Sequence, residues 1–398
     1  MYSKNIYKDC TNEKLEAISE FCESYKDFIS YGKTERLCVE QAVKAAEQNG
    51  FINLDSIIND NTSNKVVLKP GSKVYAVNKN KNVILFRIGS KPLTSGMRIL
   101  GAHIDSPRLD VKQNPLYQKS DFALLDTHYY GGIKKYQWVT IPLAIHGVVI
   151  KKSGETINVN IGESDTDPVV GISDLLIHLS ADQLTKPAAK VIEGEALDLT
   201  IGSIPLKDEE KDAVKKNVLK LLKDKYDFDE EDFLSAELEI VPAGKARDYG
   251  LDRSMVAGYG HDDRVCAYTS LRAILDSENP EETSCCVLVD KEEIGSVGAT
   301  GAQSKYFEDI VALLLNELGY TSYIDLKKAM SNSKMLSSDV SAGYDPLFES
   351  VNDPKNAAYF NKGIVFNKYT GSRGKSGSND ANPEYIAWIR NILDNEQI

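Results

Sequence analysis

The chain has 398 residues, 42% hydrophobic and 27% charged, a mixture typical of a globular protein of two or three domains. Its formal net charge of −12 argues against nucleic acid and anionic membranes as partners. No window approaches the roughly 20 apolar residues of a membrane span, and the N-terminus lacks the apolar core of a signal peptide. The six cysteines include no CxxC pair, which favours buried thiols over a disulfide framework. We therefore expect a soluble cytoplasmic protein.

The N-terminal quarter of the chain predicts helices followed by short strands. Residues 12–50 are predicted to be helical, with Thr34 as an N-cap and Gly50 as a stop. Short β runs follow at 65–68, 73–77 and 83–88, separated by turn-forming residues. The run MRILGAHID, residues 97–105, predicts a further strand that carries a histidine and an aspartate at its carboxyl end.

The middle of the chain differs in pattern from the segments on either side. From about 107 to 250, amphipathic strands alternate with turns and are followed by a charged helix, and we interpret 107–250 as an inserted β-rich domain. After Met255 the pattern is α/β, and the apolar run CCVLV is typical of a strand buried on both faces. Near the end, 369–380 is predicted to be a flexible loop, and a helix follows with Asn382 as its cap.

Candidate metal ligands lie where predicted strands end or where a helix begins. In an open α/β sheet, ligands bind beyond the carboxyl ends of the strands. Carboxylates that crowd together repel one another, and a divalent cation would relieve that repulsion. Mixed histidine and carboxylate ligands suit zinc, with cobalt or manganese as substitutes. The candidates are His103, Asp105, Asp262, Glu292, Glu293 and Asp339.

In two pairs of neighbouring candidates, Glu292–Glu293 and His103–Asp105, the two members can have different roles. Glu292 and Glu293 are consecutive, so their side chains point in different directions. One can bind a metal while the other acts as a general base toward water. Asp105 lies two residues from His103 and can accept the second ring N–H, which would fix the tautomer of a zinc-bound imidazole.

Each candidate taken alone also has a structural interpretation. Asp262 could be a plain N-cap, Glu292–Glu293 a solvated loop, Asp339 a turn residue and His103 a hydrogen-bonded strand-end histidine. Their joint occurrence at strand ends favours a metal site.

Four segments together resemble the aspartyl/vacuolar aminopeptidase family of dinuclear zinc exopeptidases, in its bacterial form. They occur in family order and span nearly the whole chain: GAHIDSPRLDVK (101–112), GYGHDDRVCAYTSL (258–271), DKEEIGSVGATGA (290–302) and LSSDVSAGYDP (336–346). The resemblance implies an α/β catalytic domain of the zinc-exopeptidase and phosphorylase type, with a mixed sheet flanked by helices, formed by 1–106 and 251–398. It implies that 107–250 is a β-rich dimerisation domain and that the protein forms homo-oligomers, dodecamers built from dimers.

The resemblance also implies the ligand set. His103 and Asp339 would hold one metal ion, Glu293 would hold the other, and Asp262 would bridge the two. The cofactor would be zinc, two ions per subunit, with cobalt or manganese possible.

The remaining roles follow from the same resemblance. Glu292 would be the general base and Asp105 the residue that orients the histidine ligand. The segment SDLLIHLSADQL resembles a helix of the inserted domain whose histidine reaches into a neighbouring subunit's site, which makes His178 a candidate contact to substrate across subunits.

The chain departs from the family pattern at two places. Family members carry a last metal-binding histidine near their C-terminus, whereas the last histidine here is His261. Either the catalytic domain is truncated or its C-terminal segment lies outside this sequence, and in this chain we expect weak binding of the Glu293 metal. Asn367, with Lys368 beside it, stands where family aspartyl enzymes carry a lysine for acidic side chains. A preference for N-terminal Asp or Glu is therefore not predicted.

We expect a metalloaminopeptidase that removes N-terminal residues from peptides, with water activated by two metal ions and Glu292 as base. Two alternatives stay open: a deacylase-type metal amidohydrolase, and a catalytically impaired metal-binding assembly protein. A requirement for a free α-amine on the substrate would distinguish the aminopeptidase from the amidohydrolase. Metal content and turnover would distinguish it from the impaired assembly protein.

Overall fold

A computed structural model describes residues 4–372 and 376–396. The α-helices of these residues are α1 (Asn12–Tyr31), α2 (Glu35–Gln48), α3 (Leu54–Ile58), α4 (Ala188–Val191), α5 (Ala213–Tyr226), α6 (His261–Asp276), α7 (Tyr306–Glu317), α8 (Tyr323–Asn332) and α9 (Pro383–Glu396). The strands are β1 (Ile52–Asn53), β2 (Lys73–Asn78), β3 (Asn82–Arg87), β4 (Met97–His103), β5 (Arg108–Lys119), β6 (Phe122–Tyr130), β7 (Leu143–Ile150), β8 (Thr156–Ile161), β9 (Leu199–Gly202), β10 (Ala236–Pro242), β11 (Arg247–Tyr249), β12 (Met255–Ala257), β13 (Thr283–Val289), β14 (Lys334–Ser337), β15 (Tyr369–Ser372) and β16 (Ser376–Asp380).

The chain divides into two compact units. The larger unit is Cys22–Asp339 and holds both large sheets. The smaller unit is formed by the chain up to Phe21 and from Val340 on, and it holds the β15–β16 hairpin and α9. Within it, α9 begins as predicted, since the Asn382 side chain accepts a hydrogen bond from the Tyr385 backbone N–H at 2.8 Å.

The first sheet of the larger unit is mixed, with the order β1-β2-β3-β13-β4-β14. Strands β13 and β14 both pair parallel with β4, whereas β3 pairs antiparallel with β13. The apolar side chains of β13 alternate between the two faces. Cys286 and Leu288 pack with α1, α2 and α6, and Cys285 and Val287 pack with α3, α7 and α8. Helices therefore flank a mixed sheet, as predicted, and CCVLV is buried on both faces.

The second sheet is antiparallel throughout, with the order β8-β7-β10-β5-β6-β9. Its buried face forms a separate apolar core to which α5 contributes Val214 and Val218. All its strands lie within 107–250, but the contacts of the larger unit run continuously from Cys22 to Asp339. The division into an inserted and a catalytic domain therefore stays a prediction.

Two local predictions are wrong. Residues 65–68 form no strand, and Val67 is 77% exposed, because no neighbouring strand pairs with this run. The segment 369–380 was predicted to be a loop but contains the β15–β16 hairpin, with residues 373–375 outside the described part of the chain. All six cysteines are free thiols, but only Cys38, Cys285 and Cys286 are buried as expected. None of the helices described is both long and apolar enough to cross a membrane.

Candidate metal centre

The register of three parallel strands brings the candidate ligands to one edge of the first sheet. Val289 at the end of β13 lies opposite His103 at the end of β4, and Ser337 at the end of β14 lies opposite Gly101. Asp339 follows β14 by two residues. Because these strands run in the same direction, the residues that follow them emerge together.

The two glutamates lie in a tight turn beyond β13. Glu292 and Glu293 open a 3₁₀ turn that ends at Ile294, and its flanking residues Lys291 and Gly295 have φ angles of +73° and +100°. A left-handed residue on each side lets the chain reverse within a few residues. The turn therefore holds both carboxylates close to the strand end.

Asp262 does not act as a helix cap. The N-cap position of α6 belongs to Gly260, and Asp262 and Asp263 depart from helical backbone angles. The backbone carbonyl of Asp262 accepts a 2.6 Å hydrogen bond from Ser106 Oγ. Its side chain is thereby turned toward β4, and Oδ1 lies 3.2 Å from His103 Nε2.

His103 is the centre of the cluster. It is 3% exposed, and its Nδ1 donates to the Asp105 backbone carbonyl at 3.0 Å, because a carbonyl can only accept. Nε2 consequently faces the carboxylates, with Glu292 Oε2 and Asp339 Oδ1 each at 3.8 Å. The imidazole therefore points its second nitrogen toward the acids, as a metal ligand would.

Two groups of potential ligands share this imidazole. His103, Glu292 and Asp339 form one group, and His103, Asp262 and Glu293 form the other, with the ligand atoms in each within 4.8 Å of one another. The structure thus brings all the implied ligands together. It also places Glu292, the expected base, as close to the imidazole as Asp339.

Asp105 is fully buried and bonded from several sides. Its carboxylate lies 3.3 Å from His103 Nδ1 and accepts the backbone N–H groups of Glu292 and Glu293, each at 3.2 Å. It also accepts a 2.7 Å hydrogen bond from the hydroxyl of Tyr130, at the end of β6. The sequence analysis missed Tyr130, because nothing in the alternation of β6 indicates a contact with another sheet.

The electrostatics of the cluster reflect its excess of acid. Burial would lower the pKa of His103, but the nearby carboxylates of Asp105, Asp262 and Asp339 outweigh burial and raise that pKa to about 12. Burial, with Asp262 nearby, raises the pKa of Glu293 to about 7. Burial also raises the pKa of Glu292. Burial opposes ionisation of Asp105 as well, yet the bonds from His103 and Tyr130 lower its pKa. The raised pKa values of His103, Glu292 and Glu293 mean that each of these groups binds a proton more readily than usual, as expected where carboxylates are in excess.

The residues present fit a metal ion of the zinc type. Two buried polar atoms of the cluster, His103 Nε2 and Glu293 Oε1, have no hydrogen-bond partner of acceptable geometry. Buried polar groups are seldom left in this state unless an ion or a water satisfies them. One imidazole nitrogen and several carboxylate oxygens are a donor set suited to zinc.

A cavity of about 350 Å³ opens beside His103, Glu292 and Asp339. Its inner wall includes the apolar side chains of Ile99 and Val287. The site therefore has room for a ligand beside the carboxylates, and an apolar wall strengthens electrostatic interactions within it.

His178 lies apart from this cluster. It belongs to the 3₁₀ turn Ile177–Leu179 in an exposed stretch between β8 and β9. Neither His103-containing group of potential ligands in the described chain includes it. Its expected role across subunits stays a prediction.

Comparison with known proteins identifies relatives along almost the entire chain. The aminopeptidase I zinc metalloprotease (M18) family model matches residues 28–395. A probable M18 family aminopeptidase 1 of Clostridium acetobutylicum is 59% identical over 396 residues, which cover 99% of this chain and 84% of that protein.

Solved structures agree with this assignment. The crystal structure of an M18-family aminopeptidase from Thermotoga maritima has a TM-score of 0.93 and 41% identity, covering 100% of this chain and 85% of that one. The crystal structure of aminopeptidase I from C. acetobutylicum has a TM-score of 0.90 and 58% identity, and the match covers 99% of this chain and 85% of that one. The mApe1 dodecamer of S. cerevisiae is 21% identical with a TM-score of 0.66, covering 85% and 75%, and shows a similarity of fold alone. The chain therefore belongs to the aminopeptidase I zinc metalloprotease (M18) family and is a metalloaminopeptidase, a hydrolase that acts on peptide bonds.

Proposed function

We propose that this aminopeptidase binds two metal ions through His103, Asp262, Glu293 and Asp339. The observation that carries the proposal is the buried His103 Nε2, which lacks a hydrogen bond and faces carboxylates from three separate segments. Among the described residues, no lysine or arginine forms an ion pair with Asp262 or Glu293. His103 alone does not balance all of these acids, which supports a metal ion as the source of the remaining positive charge.

Glu292 is the general base of the proposed reaction. Its side chain is 46% exposed, so it can reach both solvent and a bound peptide. Its carboxylate takes a proton from the attacking water and later passes a proton to the leaving amine, which regenerates the carboxylate. Bound zinc would supply Lewis acidity toward the scissile carbonyl and favour ionisation of water.

Asp105 fixes the His103 ring, and the acidic cluster selects the peptide end. The bonds of Asp105 to His103 hold the tautomer that leaves Nε2 facing the carboxylates. A protonated peptide N-terminus is attracted to the same acids, which favours removal of single N-terminal residues over internal cleavage.

The test is turnover of aminoacyl anilides by Glu292→Gln. We expect a loss of about 10²–10⁴-fold with zinc content unchanged, because only the proton acceptor is removed. Glu281→Gln, at a side chain that is 72% exposed, is the matched control. Wild-type turnover in Glu292→Gln would refute the role of base, and loss of zinc would move Glu292 into the ligand set. Hydrolysis of an N-acetylated substrate at the same rate would refute the requirement for a free α-amine.

The proposal includes assembly into homo-oligomers, dodecamers built from dimers. The stretch around His178 exposes four large apolar side chains to 52–68%, those of Leu175, Leu176, Ile177 and Leu179. Contiguous exposed apolar surface of this kind marks interaction sites. The S. cerevisiae relative is described as a dodecamer. Light scattering should give a multiple of the 44.0 kDa chain mass, and Leu179→Asp should lower it. A wild-type monomer would refute both the assembly and the role of His178.

A cytoplasmic location is the last part of the proposal. It rests on the six free cysteines, three of them buried. Free thiols are typical of a reducing compartment. Formation of disulfides by the purified native protein without added oxidant would argue against it.

A further inference from the structure

A phenol from the second sheet reaches the metal centre. Tyr130 is the last residue of β6 and is 7% exposed. Its hydroxyl donates to Asp105 Oδ2 at 2.7 Å, while Asp105 also bonds His103 and the backbone N–H groups of Glu292 and Glu293. One carboxylate thus connects the end of β4 with the turn after β13, and Tyr130 holds that carboxylate from a different sheet.

The ring of Tyr130 is itself held in place. Arg108 is its direct cross-strand partner on β5, and the guanidinium carbon lies 3.9 Å from the ring centroid. Arg108 is 3% exposed and forms ion pairs with Asp110 at 2.8 Å, Glu239 at 3.2 Å and Glu35 at 3.4 Å. A cation fixed by three acids leaves the phenol little freedom, so the hydroxyl is aimed at Asp105 before any metal binds.

The next residue brings the same hairpin against Glu293. Gly131 has a φ of +72°, and a Cβ there would lie 3.2 Å from Glu293 Cβ and 3.3 Å from Glu293 Oε2. A side chain at this position would require Glu293 to shift by a few tenths of an ångström. The end of the hairpin therefore touches the centre at two consecutive residues, one that donates a hydrogen bond and one that allows close approach.

We propose that Tyr130 is a positioning residue of the aminopeptidase reaction. Its hydroxyl fixes the Asp105 carboxylate and, through it, the ring of His103 and the backbone that carries Glu292 and Glu293. The inference rests on the proposed roles of Asp105 and Glu292. Residues that orient metal ligands in this way typically affect metal affinity or activity by about 10–100-fold when they are changed.

The first experiment is Tyr130→Phe, which removes one oxygen and keeps the ring beneath Arg108. We expect zinc affinity, measured by competition with a chromophoric chelator, to fall about 10–100-fold and kcat at saturating zinc to fall comparably. KM should change by less than about two-fold, because the buried hydroxyl bonds Asp105 and Tyr130 does not line the cavity beside His103. Thermal unfolding of the metal-free protein should be nearly unchanged. Tyr129→Phe is the matched control, since Tyr129 is 43% exposed and its ring stacks on His128.

The second experiment asks whether Tyr130 acts through Asp105. In an Asp105→Asn background, Tyr130→Phe should change zinc affinity by less than about two-fold, because residues that act as one unit are not additive. Additive effects would overturn the proposal. So would wild-type zinc affinity and kcat in Tyr130→Phe, or a variant that fails to fold, since the hydroxyl would then serve the fold alone. Glu292→Gln is measured in parallel. If it is fully active, the proposed function fails; if it is inactive while Tyr130→Phe is normal, only the positioning role fails.

Discussion

Two acidic clusters lie within the larger unit, and they differ in how their charge is balanced. Glu35, Glu237 and Glu239 bring carboxylate oxygens within 4.8 Å of one another, as do the ligand groups of the metal centre. In this second cluster, which we call the paired cluster, Lys81 Nζ lies 2.7 Å from Glu35 and 3.1 Å from Glu237. Arg108 contacts the other oxygen of Glu35 and also Glu239. Closeness of carboxylates therefore does not define a metal site; the source of the balancing charge does.

The pKa values of two glutamates express the same difference. Burial would raise the pKa of Glu35, but Arg108 and Lys81 outweigh burial and hold that pKa well below its usual range. Burial and the nearby Asp262 raise the pKa of Glu293 to about 7, and His103 offsets this only in part. Burial also raises the pKa of Glu239, although Arg108 lies 3.2 Å from its carboxylate. Lys81 and Arg108 thus neutralise Glu35 within the chain, whereas we propose that a bound cation neutralises Glu293.

Of the variants that distinguish the two clusters, Asp262→Asn should cause the largest loss of zinc affinity and turnover. Removal of this carboxylate takes away a ligand, so zinc affinity should fall by more than about 100-fold, beyond the range for outer-shell partners, and turnover should fall to background. The metal-free protein should be as stable as wild type or more stable, because one like charge has gone. Chelator competition and urea unfolding measure the two quantities.

The control for that variant is Asp309→Asn, at an exposed position of α7. A clear loss of metal-free stability in Asp262→Asn, with zinc affinity retained, would mean that Asp262 is a structural acid like Glu35.

Removal of a cationic side chain from the paired cluster should instead lower the stability of the metal-free protein. Lys81 is 7% exposed, and Lys81→Met would leave the buried Glu35 with Arg108 alone and the buried Asp290 with Lys291 alone. Breaking a buried pair in this way typically costs about 3–5 kcal/mol. Urea unfolding of metal-free protein should show that loss, and Lys305→Met, at an 82% exposed side chain, should not. A loss below about 1 kcal/mol would show that the acids find another partner.

The sequence predicted the meeting of the candidate metal ligands better than that of the paired cluster, for a physical reason. His103, Glu292 and Asp339 follow apolar strands, and parallel strand ends meet at one edge of a sheet, so local pattern was sufficient. Glu35 occupies the first turn of α2, where an acid is commonplace. Its partners Lys81 and Arg108 are 46 and 73 positions away, and no periodicity reports such pairing.

The same limit applies to Tyr130 and to the two errors of strand assignment. Tyr130 belongs to an ordinary alternating strand, and its contact with Asp105 follows only from how the two sheets pack. The run at 65–68 has apolar residues, but no strand of the described chain pairs with it. Residues 369–372, by contrast, pair with 376–380 despite a turn-like composition. Pairing is a tertiary property that composition does not contain.

Metal titration should sharpen the account of the centre itself. His103 Nδ1 is engaged by Asp105, so the one imidazole can serve only one ion through Nε2. The other ion of a pair would be left with carboxylates, a set that favours harder cations such as manganese or magnesium over zinc. Calorimetry of this 398-residue chain should resolve two zinc equivalents that differ by at least about 10-fold in affinity. Two equally tight equivalents would show that a further ligand completes the second site.

The smallest expected loss of unfolding free energy comes from a partly exposed ion pair at the edge of the paired cluster. Arg36 forms a 2.7 Å ion pair with Glu237, but both side chains are partly exposed, at 24% and 35%. Lys81 still neutralises Glu237 when Arg36 is removed, and ion pairs open to solvent contribute about 0–1 kcal/mol. Arg36→Ala should therefore lower the unfolding free energy by no more than about 1 kcal/mol, against the 3–5 kcal/mol expected for Lys81→Met. The two variants are compared by urea unfolding at low and high salt, where only the Arg36 contribution should be screened. Equal losses would mean that burial of the cation does not determine how much its ion pair contributes to the unfolding free energy. The two clusters would then differ only in the number of cations that lie near their carboxylates.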